Sequence, residues 1–512
     1  MNHPSVVTLG ADSAPRSLMA GSRLVRVKLP PAARCIYPKP SRTGFADTEG
    51  LVSAALRSPL GSEPLRARMR PGMKFTIVVC DPLSPLPSPG DVRGKMVESV
   101  LSVARERHVD DIEIIIASGV ERKLEPSEVQ ALLGARTLGE VGRVWSQDAE
   151  DRDQFVTCCE LQSGAPLELP RRILESDLVV GVSARHSSPA SSVERCVRGL
   201  LSARSMKAVF SAELESGRRE SEFGAAELPL FSFLGGRVPL FLLDALVEAA
   251  PLKSSLSFLF KNEDELRESE KRALRFFELG TVPWALRGLL ARSERPRVVS
   301  VYAGDPELVS ERAMQGVWDQ VGVPIRGQAD VLIVPVGTLS NIGLGEGTDP
   351  LTAQSLGAGE FFRRFRGHSL LRRSGTLILL HPLSDRFPLR KQTASEAFVH
   401  GLLPLRLPLG LLFEREKERF FSDPALIQMY RTGFAYHPLF SFSRYRASEM
   451  ARHYAGRIIV VGADNESVPA LFGFETARTL DGALYRASDG LSRKLEICCL
   501  KEPSLLLSDV SL

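Results

Sequence analysis

The stretch FTIVVCDPLSPLPSP at residues 75–89 decides the fold class of this chain. Its apolar, β-branched run stops abruptly at Asp81, which is typical of a buried parallel strand whose carboxyl end opens into a functional loop. Two further segments have the same form, IEIIIASGVERK at 112–123 and DLVVGVSARH at 177–186. In open α/β sheets, ligands bind outside the carboxyl ends of the strands. We therefore expect a ligand site where these three ends meet.

A length of 512 residues predicts two or three domains. Further β-branched runs, separated by helical patterns, occur at 298–305, 329–337, 376–382 and 457–464. Together these patterns predict an α/β protein with two doubly wound α/β domains and a ligand cleft between them. The predicted organisation is a disordered tail at 1–23, an N-terminal α/β domain at 24–292, a C-terminal α/β domain at 297–487 and a tail at 488–512.

The charge pattern argues against a nucleic-acid partner. The chain has 65 basic and 61 acidic residues, for a net charge of +4, and its arginines are scattered. The densest basic cluster, RRFRGHSLLRR at 363–373, is predicted to be a solvated helix face, with a polyanion site as the alternative.

Compartment is predicted from what the sequence lacks. The first 23 residues have no apolar signal-peptide segment, and the apolar segment 228–252 is interrupted by Gly235, Pro239 and Asp244. We therefore predict helix and turn there, within a helical region at 238–292. The seven cysteines form no CxxC and no regular framework. These features predict a cytoplasmic protein with no membrane partner.

Standard catalytic and phosphate-binding signatures do not occur. The sequence has no GxGxxG, GxxxxGKS, GxSxG or HExxH, which argues against classical NAD binding, P-loop hydrolysis and common hydrolase chemistry. The glycine-rich NIGLGEGTD at 341–349 is either an anion cradle or a flexible surface loop.

The order of segments resembles the nickel-dependent lactate racemases (LarA) and their relatives. The likeness covers about Leu24 to Leu484. Its segments are ALRSPLGSEPL, DPLSPLPSP, IIIASGVERKLEPSE, SQDAED, QSGAPLELPRRILESDLVVGV, VYAGDPE and ADVLIVPVG. In that family two histidines act as acid and base on a 2-hydroxyacid, a lysine tethers a nickel-pincer nucleotide, and another histidine ligates the nickel.

This resemblance implies a set of site residues and also several replacements. Glu121 takes the place of the first histidine, and His186 matches the second, so these two are the predicted catalytic pair. The predicted cofactor-binding residues are Asp81, Ser84, Gly119 and Cys196. Ser84 replaces an arginine of the family, and the tether lysine falls on Glu194 or Cys196. The nickel-ligating histidine has no counterpart in 202–213.

Other charged residues are predicted to bind a small-molecule carboxylate, because a guanidinium pairs with a carboxylate in a bidentate manner. They are Arg122, Arg185, His381, Arg431 and His437. The leading functional hypothesis is a lactate racemase-like isomerase that racemises or epimerises a 2-hydroxyacid at an eroded nickel-pincer site. The alternative is a catalytically inactive ligand-binding or regulatory protein, without cofactor, on the same scaffold.

Overall fold

A computed structural model describes residues 3–40, 42–80, 82–84, 87–88, 90–216, 229–249, 254–278, 297–337, 349–489 and 493–512. Its strands are β1 (Val6–Thr8), β2 (Arg16–Ala20), β3 (Arg23–Val27), β4 (Arg34–Ile36), β5 (Lys74–Cys80), β6 (Asp111–Ala117), β7 (Arg143–Ser146), β8 (Phe155–Glu160), β9 (Pro166–Pro170), β10 (Leu178–Arg185), β11 (Leu240–Val247), β12 (Val298–Gly304), β13 (Gly322–Arg326), β14 (Ala329–Pro335), β15 (Phe365–Gly367), β16 (Leu371–Leu380), β17 (Arg457–Val461), β18 (Glu475–Ala477), β19 (Ile497–Leu500) and β20 (Leu507–Ser511).

The α-helices are α1 (Thr48–Arg57), α2 (Leu65–Arg68), α3 (Val92–Glu106), α4 (Pro126–Glu140), α5 (Arg171–Glu175), α6 (Ser192–Leu200), α7 (Ala203–Ser216), α8 (Leu230–Phe233), α9 (Glu268–Glu278), α10 (Pro306–Val321), α11 (Pro350–Gln354), α12 (Thr393–Ala397), α13 (Leu409–Phe421), α14 (Pro424–Thr432), α15 (Pro438–Arg446), α16 (Glu449–Tyr454), α17 (Ser467–Leu471) and α18 (Leu480–Ser488). Two π-helical segments span Ser355–Phe361 and Phe398–Leu402. No helix in the described ranges is long and apolar enough to cross a membrane.

The first lobe is built on a six-stranded sheet in the order β12-β11-β10-β5-β6-β7. Its strands are parallel except for the edge strand β12, which runs antiparallel to β11. The side chains of β5 after Lys74 are buried on both faces, as the sequence pattern predicts for a strand covered by helices. The parallel order brings the ends of β5, β6 and β10 to one edge of the sheet.

The second lobe is built on a seven-stranded sheet in the order β1-β4-β19-β14-β16-β17-β18. Only the β1–β4 pair is antiparallel. The predicted α/β class with parallel sheets is therefore confirmed. The sheet also takes strands from both chain ends, because β19 lies between β14 and β4. The predictions of a disordered tail at 1–23 and of a separate tail at 488–512 are wrong at these strands.

Two elements near the predicted domain junction differ from expectation. Residues 240–247 form β11 instead of helix, because each of these side chains is buried between helical layers and pairs with β10. The run at 298–305, predicted to open the second α/β unit, supplies β12 to the first sheet instead. The predicted boundary at 292–297 falls partly outside the described residues.

Three apolar layers hold the lobes. One face of each sheet packs into a shared core that includes Val78 and Val334, and the opposite faces have their own clusters around Ile77 and Ile333. Cys498 faces the shared core and Cys499 the outer cluster. The two cysteines therefore act as small apolar residues on opposite faces of β19.

A buried ion pair ties the chain ends together. Lys501, after β19, contacts Glu263 and donates to the Ser17 carbonyl in β2 at 2.5 Å. Glu263 also accepts from Tyr37 Oη at 2.7 Å, and Lys501 and Glu263 are each 4% exposed. Without the lysine, the buried Glu263 carboxylate would keep the more distant Arg16 guanidinium, at 3.7 Å, as a described counter-charge.

We predict that Lys501→Met lowers the free energy of unfolding by about 3 kcal/mol, because the Glu263 carboxylate stays buried without its lysine. The double variant Lys501→Met/Glu263→Gln should recover part of that loss. Urea unfolding followed by circular dichroism measures both values. A single variant as stable as the parent would show that the ends are not coupled in this way.

Candidate functional site

A cavity of about 270 Å³ lies between the lobes, at the carboxyl ends of β5 and β6. The first lobe contributes Pro82, the loop 117–121 and parts of α6 and α7, and the second lobe contributes Arg363 and the end of α15. The charged residues in its lining are Glu121, Arg195, Arg198, Glu213, Arg363 and Arg446. The predicted cleft between two lobes is thus present, and arginine is its commonest charged residue.

Two glycines bring the first-lobe residues to this cavity. A Cβ at Gly199, near the end of α6, would lie 2.4 Å from the Ala117 carbonyl oxygen. Gly119 has a φ of +52°, and a Cβ there would lie 3.0 Å from the Arg198 carbonyl oxygen. Only glycine permits this close approach of the helix to the loop after β6. Arg195 and Arg198 on α6 therefore share a cavity with Glu121.

A similar contact positions the second-lobe arginines. A Cβ at Gly359, in the π-helical segment Ser355–Phe361, would lie 2.8 Å from the Ala447 Cβ. The segment therefore packs directly on the end of α15. Arg363 follows this segment and Arg446 ends α15, so the contact brings both to the cavity wall.

A buried carboxylate joins the arginines of the two lobes. Glu213 on α7 accepts from Arg198 Nη2 and from Arg446 Nη1, each at 2.5 Å. The Glu213 side chain is 2% exposed. One carboxylate thus fixes a guanidinium from each lobe at the cavity wall.

A disulfide joins Cys80, at the end of β5, to Cys196 on α6. Gly181 on the neighbouring β10 leaves the space, because a Cβ there would lie 3.3 Å from Cys80 Sγ. Sequence spacing predicted no disulfide framework, since these cysteines are 116 residues apart and meet only in the fold. The bond fixes α6 to the sheet beside Arg195.

The predicted catalytic pair is not brought together in this cavity. Glu121 is in the lining, whereas His186 is not among the described lining residues. The His186 Nδ1 lies 2.7 Å from Ser187 Oγ, and its carbonyl accepts from Gln320 Nε2. Desolvation and the nearby Arg364 lower the pKa of His186 to about 4. At neutral pH this side chain is therefore the neutral imidazole and not the imidazolium that acts as a general acid.

Two predicted substrate-binding arginines are buried in ion pairs. Arg122 donates to both Glu128 oxygens at 2.7 Å. Burial alone would raise the pKa of Glu128, but the Arg122 hydrogen bonds, the Glu125 backbone N–H and the positive charges of Arg122 and Lys391 together lower it. Arg185 pairs with Asp244 at 2.9 Å, and both side chains are fully buried. These contacts hold local structure in the first lobe.

The remaining predicted substrate-binding residues, His381, Arg431 and His437, also lie outside the described lining. His381 is 2% exposed, and its Nδ1 accepts from Leu383 N. Burial lowers the pKa of His381 to about 4.

Arg431 and His437 make contacts between the lobes. Arg431 Nε donates to Asp148 at 3.1 Å, and Glu150 lies 2.9 Å from His437 Nε2. His437 also caps α15 by accepting from Leu439 N. The structure therefore uses these two residues to dock α14 and α15 on the loop after β7.

Of the predicted cofactor-binding residues that the structure describes, one lines the cavity and two do not. Gly119 lines the cavity, and Cys196 is held in the disulfide at 1% exposure. Ser84 is half-buried and not among the described lining residues. Asp81 and the loop 341–348 lie outside the described residues.

Sequence reasoning missed the arginines and Glu213. Arg363 belongs to the basic cluster at 363–373, which was predicted to be a solvated helix face. That prediction is wrong, because the cluster includes β15 and the start of β16, and Arg364 is buried. The density of arginine in this cluster was the signal that could have found Arg363. Arg195, Arg198 and Arg446 carried no local motif.

Tyr430 on α14 shapes the loop that carries Glu121. Its Oη donates to the Gly119 carbonyl at 2.7 Å and accepts from Ala149 N at 2.9 Å, and the side chain is fully buried. The phenol thus satisfies two backbone groups of the first lobe from the second.

We predict that Tyr430→Phe lowers the free energy of unfolding by about 2 kcal/mol, because it leaves these two buried groups without a partner. Tyr485→Phe is the matched control, since Tyr485 is 80% exposed. Thermal and urea unfolding give the comparison. Equal losses in the two variants would contradict the assigned role of the Tyr430 hydroxyl.

Comparison with known proteins shows which family and which solved structures this chain is similar to. Residues 21–186 match the family model described as the lactate racemase N-terminal domain. The structure is similar to the lactate racemase apoprotein from Thermoanaerobacterium thermosaccharolyticum, with a TM-score of 0.61, 15% identity and coverage of 97% of this chain and 100% of the other. A protein from Thermotoga maritima is also similar, with a TM-score of 0.51, 11% identity and coverage of 92% and 100%. No curated protein matches significantly. Residues 21–186 are therefore similar to the lactate racemase N-terminal domain, and the whole chain has the lactate racemase fold.

Proposed function

We propose that this protein binds a small organic anion, bearing a carboxylate or a phosphate, in the inter-lobe cavity and holds no tethered nickel-pincer nucleotide. The observation that supports this is the charged lining: four arginines stand with two glutamates, and the described lining includes no histidine or lysine. Guanidinium groups pair with carboxylates and phosphates through charge-assisted hydrogen bonds. This is the ligand-binding alternative on the lactate racemase scaffold.

The side chains at the tether position do not fit the nickel-pincer group. Of the two residues that fall there by resemblance, Cys196 is bonded to Cys80. Glu194 accepts from the backbone N–H groups of Leu230 and Phe231 and so caps α8. Neither side chain carries the amine that a lysine supplies.

The nickel-ligand position does not fit either. The family places that ligand in 202–213. The buried carboxylate in this range is Glu213, and the guanidinium groups of Arg198 and Arg446 already bind it. Within the described residues, no three His, Cys, Asp or Glu side chains converge to hold a metal. We therefore assign no step to the nickel cofactor.

Acid/base isomerisation needs a proton-transfer group on each face of the substrate. Glu121 lies in the described lining and supplies a carboxylate for one face of a ligand, whereas His186 lies outside that lining. Glu213, the other carboxylate, is held by Arg198 and Arg446. The geometry supports binding better than the isomerase hypothesis. In the bound complex we assign Arg195 to the ligand's anionic group and Glu121 to accept a hydrogen bond from a ligand hydroxyl.

We predict that the protein, produced together with the pincer-cofactor biosynthesis enzymes, contains no stoichiometric nickel and has the mass of the unmodified chain. Metal analysis and intact-protein mass spectrometry measure this. L-Lactate incubated with it should show no conversion to D-lactate by chiral chromatography. A covalent nucleotide adduct or measurable conversion would restore the isomerase hypothesis.

Binding itself is tested by isothermal titration of the full chain with L-malate, inorganic phosphate and L-lactate. We predict a Kd below about 1 mM for at least one probe. Arg195→Gln should weaken that binding about tenfold, and Ser443→Phe, which fills the cavity, should abolish it. Arg373→Gln, at an exposed position on β16, is the matched control and should leave the Kd unchanged. Heats indistinguishable from dilution for all three probes would refute the proposal.

A further inference from the structure

The charges on the cavity wall exceed what one monoanion neutralises. Arg195, Arg198, Arg363 and Arg446 contribute four positive charges, and Glu121 and Glu213 two negative ones, so the described lining has a net charge of +2. Glu213 serves two guanidinium groups at once. In a partly closed cavity, a lining with a net positive charge attracts a ligand of opposite charge.

The second-lobe arginines carry donors that no described residue satisfies. Arg446 Nη2 and Arg363 Nε are both buried, and neither has an acceptor among the described residues. Arg446 Nη1 is held by Glu213, so the guanidinium is oriented while its other nitrogen still needs a partner. A buried donor without an acceptor is destabilising, and an anionic oxygen corrects it.

The surrounding structure fixes both arginines in place. Arg363 follows the π-helical segment that packs on Ala447 through Gly359. The next residue, Arg364, is buried and donates to the carbonyls of Ser187 and Leu506. These contacts hold Arg363 against the first lobe and leave little rearrangement for ligand binding. Pre-positioned donors discriminate between ligands more sharply than mobile ones.

From these observations we propose that the cavity selects a dianion, one anionic group meeting the first-lobe arginines Arg195 and Arg198 and the other meeting the second-lobe arginines Arg363 and Arg446. This rests on the proposed anion-binding function and narrows its ligand class. A short dicarboxylate supplies two separate carboxylates, and a phosphate monoester supplies two anionic oxygens on one phosphate, so both can meet the two arginine pairs. A monocarboxylate such as lactate supplies only one of the two groups.

The test compares dianions with monoanions of similar size, by isothermal titration at pH 8. The pairs are succinate with butyrate, L-malate with L-lactate, and glycerol 3-phosphate with glycerate. We expect each dianion to bind at least tenfold more tightly than its partner, which corresponds to about 1.4 kcal/mol. Comparing the dicarboxylates with glycerol 3-phosphate distinguishes the two ligand sources.

Variants locate the second anionic group. Arg363→Gln should weaken succinate and L-malate about tenfold but change L-lactate binding less than threefold, whereas Arg363→Lys should keep most of the preference. Melting temperatures without ligand identify a variant that is merely unfolded. Lactate binding as tight as malate binding would overturn the dianion inference and leave anion binding intact. Absence of binding by every probe would instead refute the underlying anion-binding proposal.

Discussion

The geometry of the inter-lobe cavity depends on one buried carboxylate. Glu213 accepts a guanidinium from α6 of the first lobe and another from α15 of the second, each at 2.5 Å. Separating the lobes would break the Glu213–Arg446 ion pair, whereas the Glu213–Arg198 pair lies within the first lobe. The same interaction therefore keeps the lobes in register and sets two arginines at the cavity wall.

A second group of polar contacts stabilises the arrangement from another side. Tyr430 bonds to Gly119 and Ala149, and Arg431 and His437 pair with Asp148 and Glu150. Tyrosine, arginine and histidine together have the chemistry of a carboxylate site. Here their partners are backbone groups and acidic side chains of the opposite lobe, and not a ligand.

The likeness to lactate racemase shows that a fold can persist while the side chains of a catalytic site differ. At 15% identity the fold still covers 97% of this chain. The fold depends on alternating apolar strands and helices and on close approaches at Gly199 and Gly359, which tolerate many substitutions elsewhere. The chemistry depends on a few side chains. By the resemblance, Glu121 replaces the first histidine of the family. Cys196 is one of the two residues that fall at the position of the tether lysine.

What the sequence by itself determined was the α/β class, most of the parallel strands, the resemblance to the lactate racemases and the place of Glu121 after a strand end. These follow from local apolar periodicity and from segment order, which a single chain displays directly. Only the tertiary structure decided that β19 enters the second sheet and that 240–247 is a strand. It also decided that Cys80 meets Cys196, and that Arg363 and Arg446 line one cavity with Arg195 and Arg198. Each of these depends on contacts between distant segments, and no local pattern encodes which distant charge or strand a residue will meet.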